Sequence, residues 1–362
     1  MRLRIEDCRV MQFDGSSWKT KRGSIDIRDD HIEAVGEPLK KRAPDHIIEA
    51  EGALAIPGLV NTHTHVAMGL LRNYADDMSL MSWLTDKIFP AEGKMTEEDV
   101  YWGSMLGIGE MIRSGVTTFA DMYFHMDKTA EAVELSGVRA ALAVGIAAGS
   151  AEEAKDKCEN LSGFYHRWNN AAGGRIIVDA GPHAVYTCTP EALETIADTA
   201  KALGCGVHIH LSETRGEVEE AKKKYGASPV GIAAKAGLFE LPVIAAHCVW
   251  VDDSDIELLS EYGVHVVHNP TSNLKLASGV APVPRQIREG IQVSLGTDGS
   301  ASNNNLNMFE EMHLAALIHK GVSGEPTVMP AGKVLEMATL GGARAAGIED
   351  MVGTIEPGKK AD

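Results

Sequence analysis

Short apolar runs rich in β-branched residues alternate with longer helix-like segments from Ile56 onward. Eight such runs follow one another along the chain: IPGLVNTHTH, GVTTFADMY, GVRAALAVGI, RIIVDAGPHA, GVHIHLSET, VIAAHCVW, GVHVVHNPTSN and IQVSLGTDGS. This βα alternation predicts a parallel sheet, and the count of eight favours a closed (β/α)₈ TIM-like barrel of the α/β class. An open doubly wound sheet is the alternative, although no G-x-G-x-x-G follows the first run, which removes the usual dinucleotide-binding interpretation.

Helix-like segments lie between most of these runs. The segment TEEDVYWGSMLGIGEMIRSG opens with a Thr-x-x-Asp capping pattern at Thr96 and stops at Gly115. TPEALETIADTAKALG and SDIELLSEYG are further examples. The connection from Met68 to Glu98 is long for a single βα loop, which predicts a lid or the wall of a pocket.

The sequence pattern divides the chain into three segments. Residues 1–55 read as short strands and turns punctuated by Gly15, Gly23 and Gly36, which predicts a small β-sandwich-like module. Residues 56–347 are expected to form a metal-dependent barrel. Residues 348–362 are expected to begin a return to the β module.

Charge and cysteine usage narrow the partners and the compartment. The 362 residues carry a formal net charge of −17, so nucleic acid and anionic membranes are poor candidate partners. No apolar stretch approaches the length of a membrane span, and the first ten residues hold no signal-peptide core. The five cysteines are scattered and form no C-x-x-C pair, which indicates free thiols and a cytoplasmic location.

Polar residues recur where the predicted strands end. In a (β/α)₈ barrel the active site lies at the carboxyl ends of the strands. Most of the 14 histidines lie in the barrel segment, and many follow a β run directly. The residues at the run ends are His63, His65, Asp121, His183, His208, His210, Glu213, His247, His268, Asn269 and Asp298.

The joint pattern of these residues indicates a metal site. A single histidine after a strand is most often structural, and one His-x-His pair is only a moderate indication of metal. Two histidines from the first run, one from the fifth and Asp298 from the eighth would converge at the mouth of a barrel. Three imidazoles and a carboxylate suit zinc or ferrous iron and leave a position open for water. RIIVDAGPHA offers no lysine as a bridging ligand, which favours a single metal ion.

Longer motifs resemble a known family. PGLVNTHTH, HIHLSET, AAHCVW, HNPTSNLKLASGVAPV and LGTDGSASNNNLNMFEEM resemble those of the amidohydrolase superfamily, and more closely its 5-methylthioadenosine/S-adenosylhomocysteine deaminases. The resemblance covers essentially the whole chain. It implies that the metal ligands are His63, His65, His210 and Asp298. It also implies nucleoside contacts from Glu92, His183, Glu213 and Asp298, with Ser302 lining the same pocket.

The chain departs from this family in two places. Members that favour S-adenosylhomocysteine hold its carboxylate with two arginines, and the matching positions here are Val144 and a residue near Cys158. The chain therefore resembles more closely the 5'-deoxyadenosine deaminases, which prefer small apolar 5' groups. The second departure is GTIEPGKKAD, after which family members continue into further strands of the β module, so we expect that the module is truncated at Asp362.

The expected activity is metal-dependent hydrolytic deamination of 5'-deoxyadenosine, 5'-methylthioadenosine, S-adenosylhomocysteine or adenosine to the inosine analogue and ammonia. Asp298 would accept a proton from water, His247 would orient that water, and Glu213 would donate a proton to N1 of the purine. The alternatives are a related deaminase or hydrolase that acts on a free base or a triazine, and a non-catalytic metal-binding barrel. The partners are expected to be one divalent metal ion, a small nucleoside and further copies of the chain in a dimer or tetramer.

Overall fold

A computed structural model describes residues 1–39 and 43–362 of the chain. Its amino-terminal part is a five-stranded sheet with β1 at its centre. β1 pairs antiparallel with β2 and parallel with β4 and β5, and β3 lies outside β2. The strands are β1 (Arg2–Phe13), β2 (Trp18–Arg28), β3 (His31–Gly36), β4 (His46–Glu49) and β5 (Leu54–Ala55).

Eight parallel strands then form a barrel. They follow one another around the sheet in chain order, so the predicted TIM-like barrel is confirmed and the doubly wound alternative, whose strand order reverses, is wrong. Each of the eight predicted runs contains one strand. The strands are β6 (Leu59–Thr64), β7 (Val116–Tyr123), β8 (Arg139–Ile146), β9 (Ile176–Pro182), β10 (Val207–Leu211), β11 (Val243–His247), β12 (His265–His268) and β13 (Val293–Leu295).

The barrel closes at the seam between β6 and β13, which we define by Asn61, Thr62, Leu295 and Thr297. The Asn61 side chain exchanges two hydrogen bonds with Thr297, through its Nδ2 at 2.8 Å and its Oδ1 at 3.0 Å. The Thr62 hydroxyl donates to the Leu295 carbonyl at 2.6 Å. Because these groups are buried, each bond is protected from water, and the seam holds the ends of the first and last barrel strands side by side.

Helices surround the barrel. The predicted cap at Thr96 is present: its hydroxyl accepts from the Asp99 amide, and the Asp99 carboxylate accepts from the Thr96 amide. The helices are α1 (Leu80–Trp83), α2 (Phe89–Glu92), α3 (Glu97–Arg113), α4 (Met126–Ser136), α5 (Ala151–Trp168), α6 (Ala171–Gly174), α7 (Pro190–Leu203), α8 (Arg215–Tyr225), α9 (Pro229–Lys235), α10 (Asp253–Glu261), α11 (Pro270–Lys275), α12 (Val283–Arg288), α13 (Ser300–Asn303), α14 (Met308–Ser323), α15 (Ala331–Met337) and α16 (Leu340–Ala345). Within residues 1–39 and 43–362, no helix is both long and apolar enough to cross a bilayer.

The long connection after β6 folds into short helical turns. A 3₁₀ turn at Val66–Leu71 and a π-helical turn at Leu84–Ile88 flank α1, and α2 follows. Met68, Trp83 and Phe89 from this segment line the main cavity of the barrel. The segment is therefore a wall of the pocket, as the length of the connection predicts.

The last residues return to the amino-terminal sheet. The Ile32 amide donates to the Lys359 carbonyl at 2.8 Å, and the Ala361 amide donates to the Asp30 carbonyl at 2.9 Å. Ile355 packs into the small core of this sheet, while Ile348 packs against the barrel. The boundaries at residues 55/56 and 347/348 remain a prediction.

Candidate active site

A cavity of about 180 Å³ opens at the carboxyl ends of the barrel strands. Its walls are mostly apolar, and its polar groups gather at one place. All but one of the residues expected to bind metal or substrate or to act in catalysis line this cavity. The exception is His63, which is fully buried below the cavity floor. The lining residues among them are His65, Glu92, His183, His210, Glu213, His247, Asp298 and Ser302.

The Nε2 atoms of His65 and His210 face each other at the cavity. The Nδ1 of His65 lies 2.6 Å from the Met122 carbonyl oxygen, and the Nδ1 of His210 lies 2.8 Å from the His183 carbonyl oxygen. A carbonyl accepts only, so each Nδ1 carries the proton and each neutral ring keeps a lone pair on Nε2. These two Nε2 atoms are 3.1 Å apart. Two facing lone pairs at this separation repel unless a cation lies between them or beside them.

His63 is held from below by a histidine of another strand. Its Nδ1 lies 2.8 Å from the Nε2 of His208 on β10, and its own Nε2 is buried without a hydrogen-bond partner in the described residues. Gly296 allows this packing, because a Cβ there would lie 2.8 Å from the His63 amide nitrogen. When the His63 Nδ1 carries the proton and donates to His208, the His63 Nε2 presents its lone pair to the polar cluster.

Asp298 completes this group from the other side of the seam. Its Oδ1 lies 3.5 Å from the His63 Nε2 and 3.3 Å from the His65 Nε2. Ser272 donates to its Oδ2 at 2.6 Å, and the Gly299 amide donates to its Oδ1 at 2.7 Å. Burial alone would raise the pKa of Asp298, but the neighbouring imidazoles, His63 first, lower it well below its usual value. The carboxyl group is therefore ionised.

These donors meet the spatial requirement for a metal site. Ligand atoms of His63, His65 and Asp298 lie within 4.8 Å of one another, and so do those of His63, His210 and His247. Three imidazoles and a carboxylate with one side open to a cavity are the donor set of a catalytic zinc or ferrous site.

Glu213 and His247 lie beside this donor group. The Oε1 of Glu213 accepts from the Ser278 hydroxyl at 2.9 Å, and its Oε2 lies 3.8 Å from the His247 Nε2. Burial raises the pKa of Glu213, so its protonated form is favoured relative to a carboxyl in water. The Nδ1 of His247 lies 2.8 Å from the Asn273 Oδ1, which leaves its Nε2 facing the cavity.

Comparison with known proteins places this constellation in a family. A model of the amidohydrolase family matches residues 54–362. The chain belongs to the amidohydrolase family. A 5-methylthioadenosine/S-adenosylhomocysteine deaminase from Desulforudis audaxviator is 50% identical over all of this chain and 84% of its own length. The recognition of this deaminase group, and of a hydrolytic enzyme that acts on a C–N bond, is confirmed.

Solved structures show the same architecture. An adenosine deaminase from Xanthomonas campestris with bound zinc is 36% identical, with a TM-score of 0.93 over 99% of this chain and 83% of that one. A zinc complex of the atrazine chlorohydrolase from Arthrobacter aurescens is 26% identical, with a TM-score of 0.90 over 99% of this chain and 86% of that one. The amidohydrolase barrel thus recurs in relatives that act on different rings.

The remaining predicted contacts lie around the same cavity. Glu92 is half-buried on α2; burial raises its pKa, and a hydrogen bond with Tyr123 opposes that rise. The Nδ1 of His183 lies 3.0 Å from the Thr187 hydroxyl oxygen. The Ser302 hydroxyl donates to the Gly299 carbonyl, so this side chain also fixes the loop that carries Asp298.

Sequence reasoning missed the groups that hold the site residues in place. Ser272 and Asn273 come from the short helix α11, which follows the histidine-asparagine end of β12, and Ser278 follows that helix. The sequence places His208 on the fifth β run but does not predict its contact with His63. Small polar residues directly after a strand in HNPTSNLKLAS were the available indication. Their partners lie at or just after the ends of other strands, 26 to 65 residues away in the chain.

Val144 and Cys158, the two positions compared with the family's arginines, do not themselves contact the cavity. Both side chains are buried in the main core, and neither lines the active-site cavity. Gly145, Ile146 and Ala147 form that wall instead. Among the described residues, those that line the cavity include no lysine or arginine. The expectation that the amino-acid carboxylate of S-adenosylhomocysteine finds no cation here therefore rests on these lining residues.

Proposed function

We propose that this amidohydrolase removes the 6-amino group of adenosine-type nucleosides by hydrolysis, giving the inosine analogue and ammonia. The observation that carries the proposal is the position of Glu213. Its side chain lines the cavity with apolar walls, and its Oε2 lies 3.8 Å from the His247 Nε2. The donor group of His63, His65, His210 and Asp298 lies beside it. The name of the 50% identical relative supports a nucleoside as the substrate.

The residues present fit a single divalent metal ion. His63 Nε2 is buried without a hydrogen-bond partner in the part of the chain that the structure describes, and the Nε2 atoms of His65 and His210 are 3.1 Å apart, so a cation would relieve both costs. We assign His63, His65, His210 and Asp298 as its ligands. Zinc is the proposed ion, and ferrous iron fits the same donors. When bound, such an ion supplies water that ionises near neutral pH.

The protein groups then divide the proton transfers. Asp298 is ionised and accepts a proton from the attacking water, while His247 orients that water through its Nε2. Protonated Glu213 donates to N1 of the purine as the C6–O bond forms. Asp298 then gives its proton to the amino group as the C6–N bond breaks, so that ammonia leaves. The proton of the new C6 hydroxyl returns to Glu213, which gives the 6-oxo ring of the inosine analogue and restores both carboxyl groups.

Glu92 and the cavity wall define which nucleoside fits. A carboxylate on α2 that lines the cavity suits the two ribose hydroxyls, because each of its oxygens can accept a hydrogen bond. His183 and Ser302 are proposed as further contacts. Because the described lining has no cation, the amino-acid carboxylate of S-adenosylhomocysteine would lose its hydration without compensation. We therefore propose that 5'-deoxyadenosine and 5'-methylthioadenosine are preferred.

The second candidate function is hydrolysis of a free base or a triazine. The fold similarity to the atrazine chlorohydrolase favours it, although that protein is only 26% identical. A ring without ribose would leave Glu92 unused. A non-catalytic metal-binding barrel would leave Glu213 and His247 without a role.

One experiment separates these functions. Ammonia release is measured with 5'-deoxyadenosine, 5'-methylthioadenosine, adenosine, S-adenosylhomocysteine, guanine and cytosine, and chloride release is measured with atrazine. Metal content is assayed in the same sample. The proposal predicts release from the nucleosides, fastest with small uncharged 5' groups, and none from the free bases. Turnover of the free bases alone, or full metal content without ammonia from any compound, would reject it.

Two further expectations remain predictions. The five cysteines are free thiols and are all buried, as expected in a reducing compartment such as the cytoplasm. A dimer or tetramer is proposed for the oligomeric state, which size measurement in solution would test.

A further inference from the structure

A second buried carboxylate lies one helical turn after Glu213. Glu217 is in the first turn of α8 and is only 9% exposed. Its Oε2 accepts from the Glu213 amide at 2.7 Å, and its Oε1 accepts from the Ser212 amide at 3.2 Å. One carboxylate therefore binds two successive backbone amides, one of which belongs to the residue proposed as the proton donor.

The backbone at this point needs support. Ser212 follows the last residue of β10 and has φ of +50°, a left-handed conformation that is unfavourable for a non-glycine residue. Its carbonyl accepts from the Val249 and Trp250 amides at 3.0 and 2.9 Å. The turn is thus held on its carbonyl side by the loop after β11, and on its amide side by Glu217.

Capping of α8 does not explain this arrangement. The Thr214 hydroxyl accepts from the Glu217 amide at 3.2 Å and is the ordinary cap of the helix. In a capping box, the third residue of the helix would bind the amide of Thr214 itself. Glu217 instead reaches past Thr214 to the two preceding residues, so its carboxylate serves the turn that carries Glu213.

This arrangement is costly for the fold. Burial raises the pKa of Glu217 to about 7, and the nearby Glu213 adds to that rise. An acid buried in this environment destabilises the protein compared with an apolar side chain of similar size, so its presence here points to a role other than stability. The small cavity around it is lined by apolar and aromatic side chains and, at its outer side, by two charged residues: Val185, Tyr186, Ala221, Tyr225, Glu220 and Lys224.

We propose that Glu217 is a positioning residue for Glu213. It fixes the backbone end of the Glu213 side chain, while Ser278 fixes the Oε1 end at 2.9 Å. Held at both ends, the carboxyl group of Glu213 presents Oε2 towards His247 and the substrate ring. The inference rests on the proposed function, because it gives Glu217 its role through the proton donor.

The test compares Glu217→Gln with Thr214→Ala. Glutamine keeps one acceptor oxygen but places an NH₂ group against a backbone amide, which shifts the turn. Thr214→Ala removes the helix cap and leaves the Glu217 carboxylate in place. Glu217→Asp keeps the charge but shortens its reach. For each variant we would measure kcat and KM for 5'-deoxyadenosine, metal content and the melting temperature.

We expect Glu217→Gln and Glu217→Asp to lower kcat by about 10- to 100-fold with KM and metal content nearly unchanged, since small misplacements of a reacting group cost that much. Thr214→Ala should lower the melting temperature without lowering kcat. In a Glu213→Gln background, Glu217→Gln should cause no further loss, because residues that act as one unit are not additive.

The wild-type rate tests the proposed function, and the ratio of variant to wild-type kcat tests Glu217. A wild-type kcat in Glu217→Gln would overturn the inference. An equal loss of kcat in Thr214→Ala, or a further loss in the double variant, would also overturn it, because either would indicate general damage to the fold.

Discussion

The mouth of the barrel and the amino-terminal sheet both contain many charged residues, but they hold them differently. In the sheet most ion pairs are open to water: the Arg22 and Asp7 side chains, whose Nε and Oδ1 are 2.7 Å apart, are 75% and 40% exposed. At the mouth, Asp298 and Glu213 are buried and are held by hydroxyl groups and a backbone amide. The charges in the sheet contribute little individually to stability, whereas burial of the carboxyl groups at the mouth costs stability and points to a role in the chemistry of the site.

The largest expected effect comes from removing a ligand at the mouth. His210→Ala deletes one of the Nε2 atoms that face each other and breaks the donor group. We expect loss of the metal ion and a fall in kcat/KM on the order of 10⁴-fold, which corresponds to about 5 kcal/mol of transition-state stabilisation. Metal analysis and ammonia release on the same sample check this. Full activity in metal-free His210→Ala protein would contradict the ligand assignment.

Glu213→Gln removes the proton donor and leaves the donor group intact. We expect kcat to fall by about 10²- to 10⁴-fold, the usual contribution of a general acid, with metal content unchanged. Glu220→Gln on the exposed side of α8 is the matched control and should behave as wild type. Near-normal deamination by Glu213→Gln would remove Glu213 from the mechanism.

The amino-terminal sheet contains a buried ion pair, Arg4–Asp26, which tests whether burial or location determines the contribution of a charge to stability. Arg4 Nε lies 2.6 Å from Asp26 Oδ1, and both side chains are only 10% exposed. Arg4→Met leaves a buried carboxylate without its cation and should cost about 3 kcal/mol of unfolding free energy, with kcat unchanged. Arg22→Ala, at the exposed pair, should cost at most about 1 kcal/mol. Urea unfolding monitors both variants, and equal costs would contradict the distinction by burial.

Asp179 on β9 is a buried carboxylate outside the proposed site. Burial raises its pKa from 3.8 to about 6, and the Gly206 amide donates to it at 3.0 Å. A raised folded-state pKa means that its stabilising contribution is complete below pH 3.8 and is lost as pH rises through 6. Asp179→Asn should therefore stabilise the protein by about 3 kcal/mol at pH 7 and hardly at all at pH 4. Destabilisation at pH 7 would show that the charge has an unrecognised partner.

The sequence predicts the barrel well because periodicity and strand-end residues are local properties. Each of the eight runs contains its strand, and His63, His65, His210 and Asp298 gather because parallel strands end at one face. The supporting groups could not be predicted in this way. Ser272 and Asn273 lie on a short helix whose direction depends on tertiary packing. Glu217 reads as an ordinary helix-capping glutamate until its carboxylate is seen to bind the amides of Ser212 and Glu213.

The central claim is that four side chains hold a cation beside a proton donor for purine deamination. The most direct measurement is ammonia release from 5'-deoxyadenosine by the purified protein, by the protein after chelation, and by the chelated protein after zinc is returned. The account predicts activity, loss of activity and recovery, in parallel with metal content. Equal rates in the metal-loaded and metal-free samples, or no release from any adenosine by fully loaded protein, would contradict it.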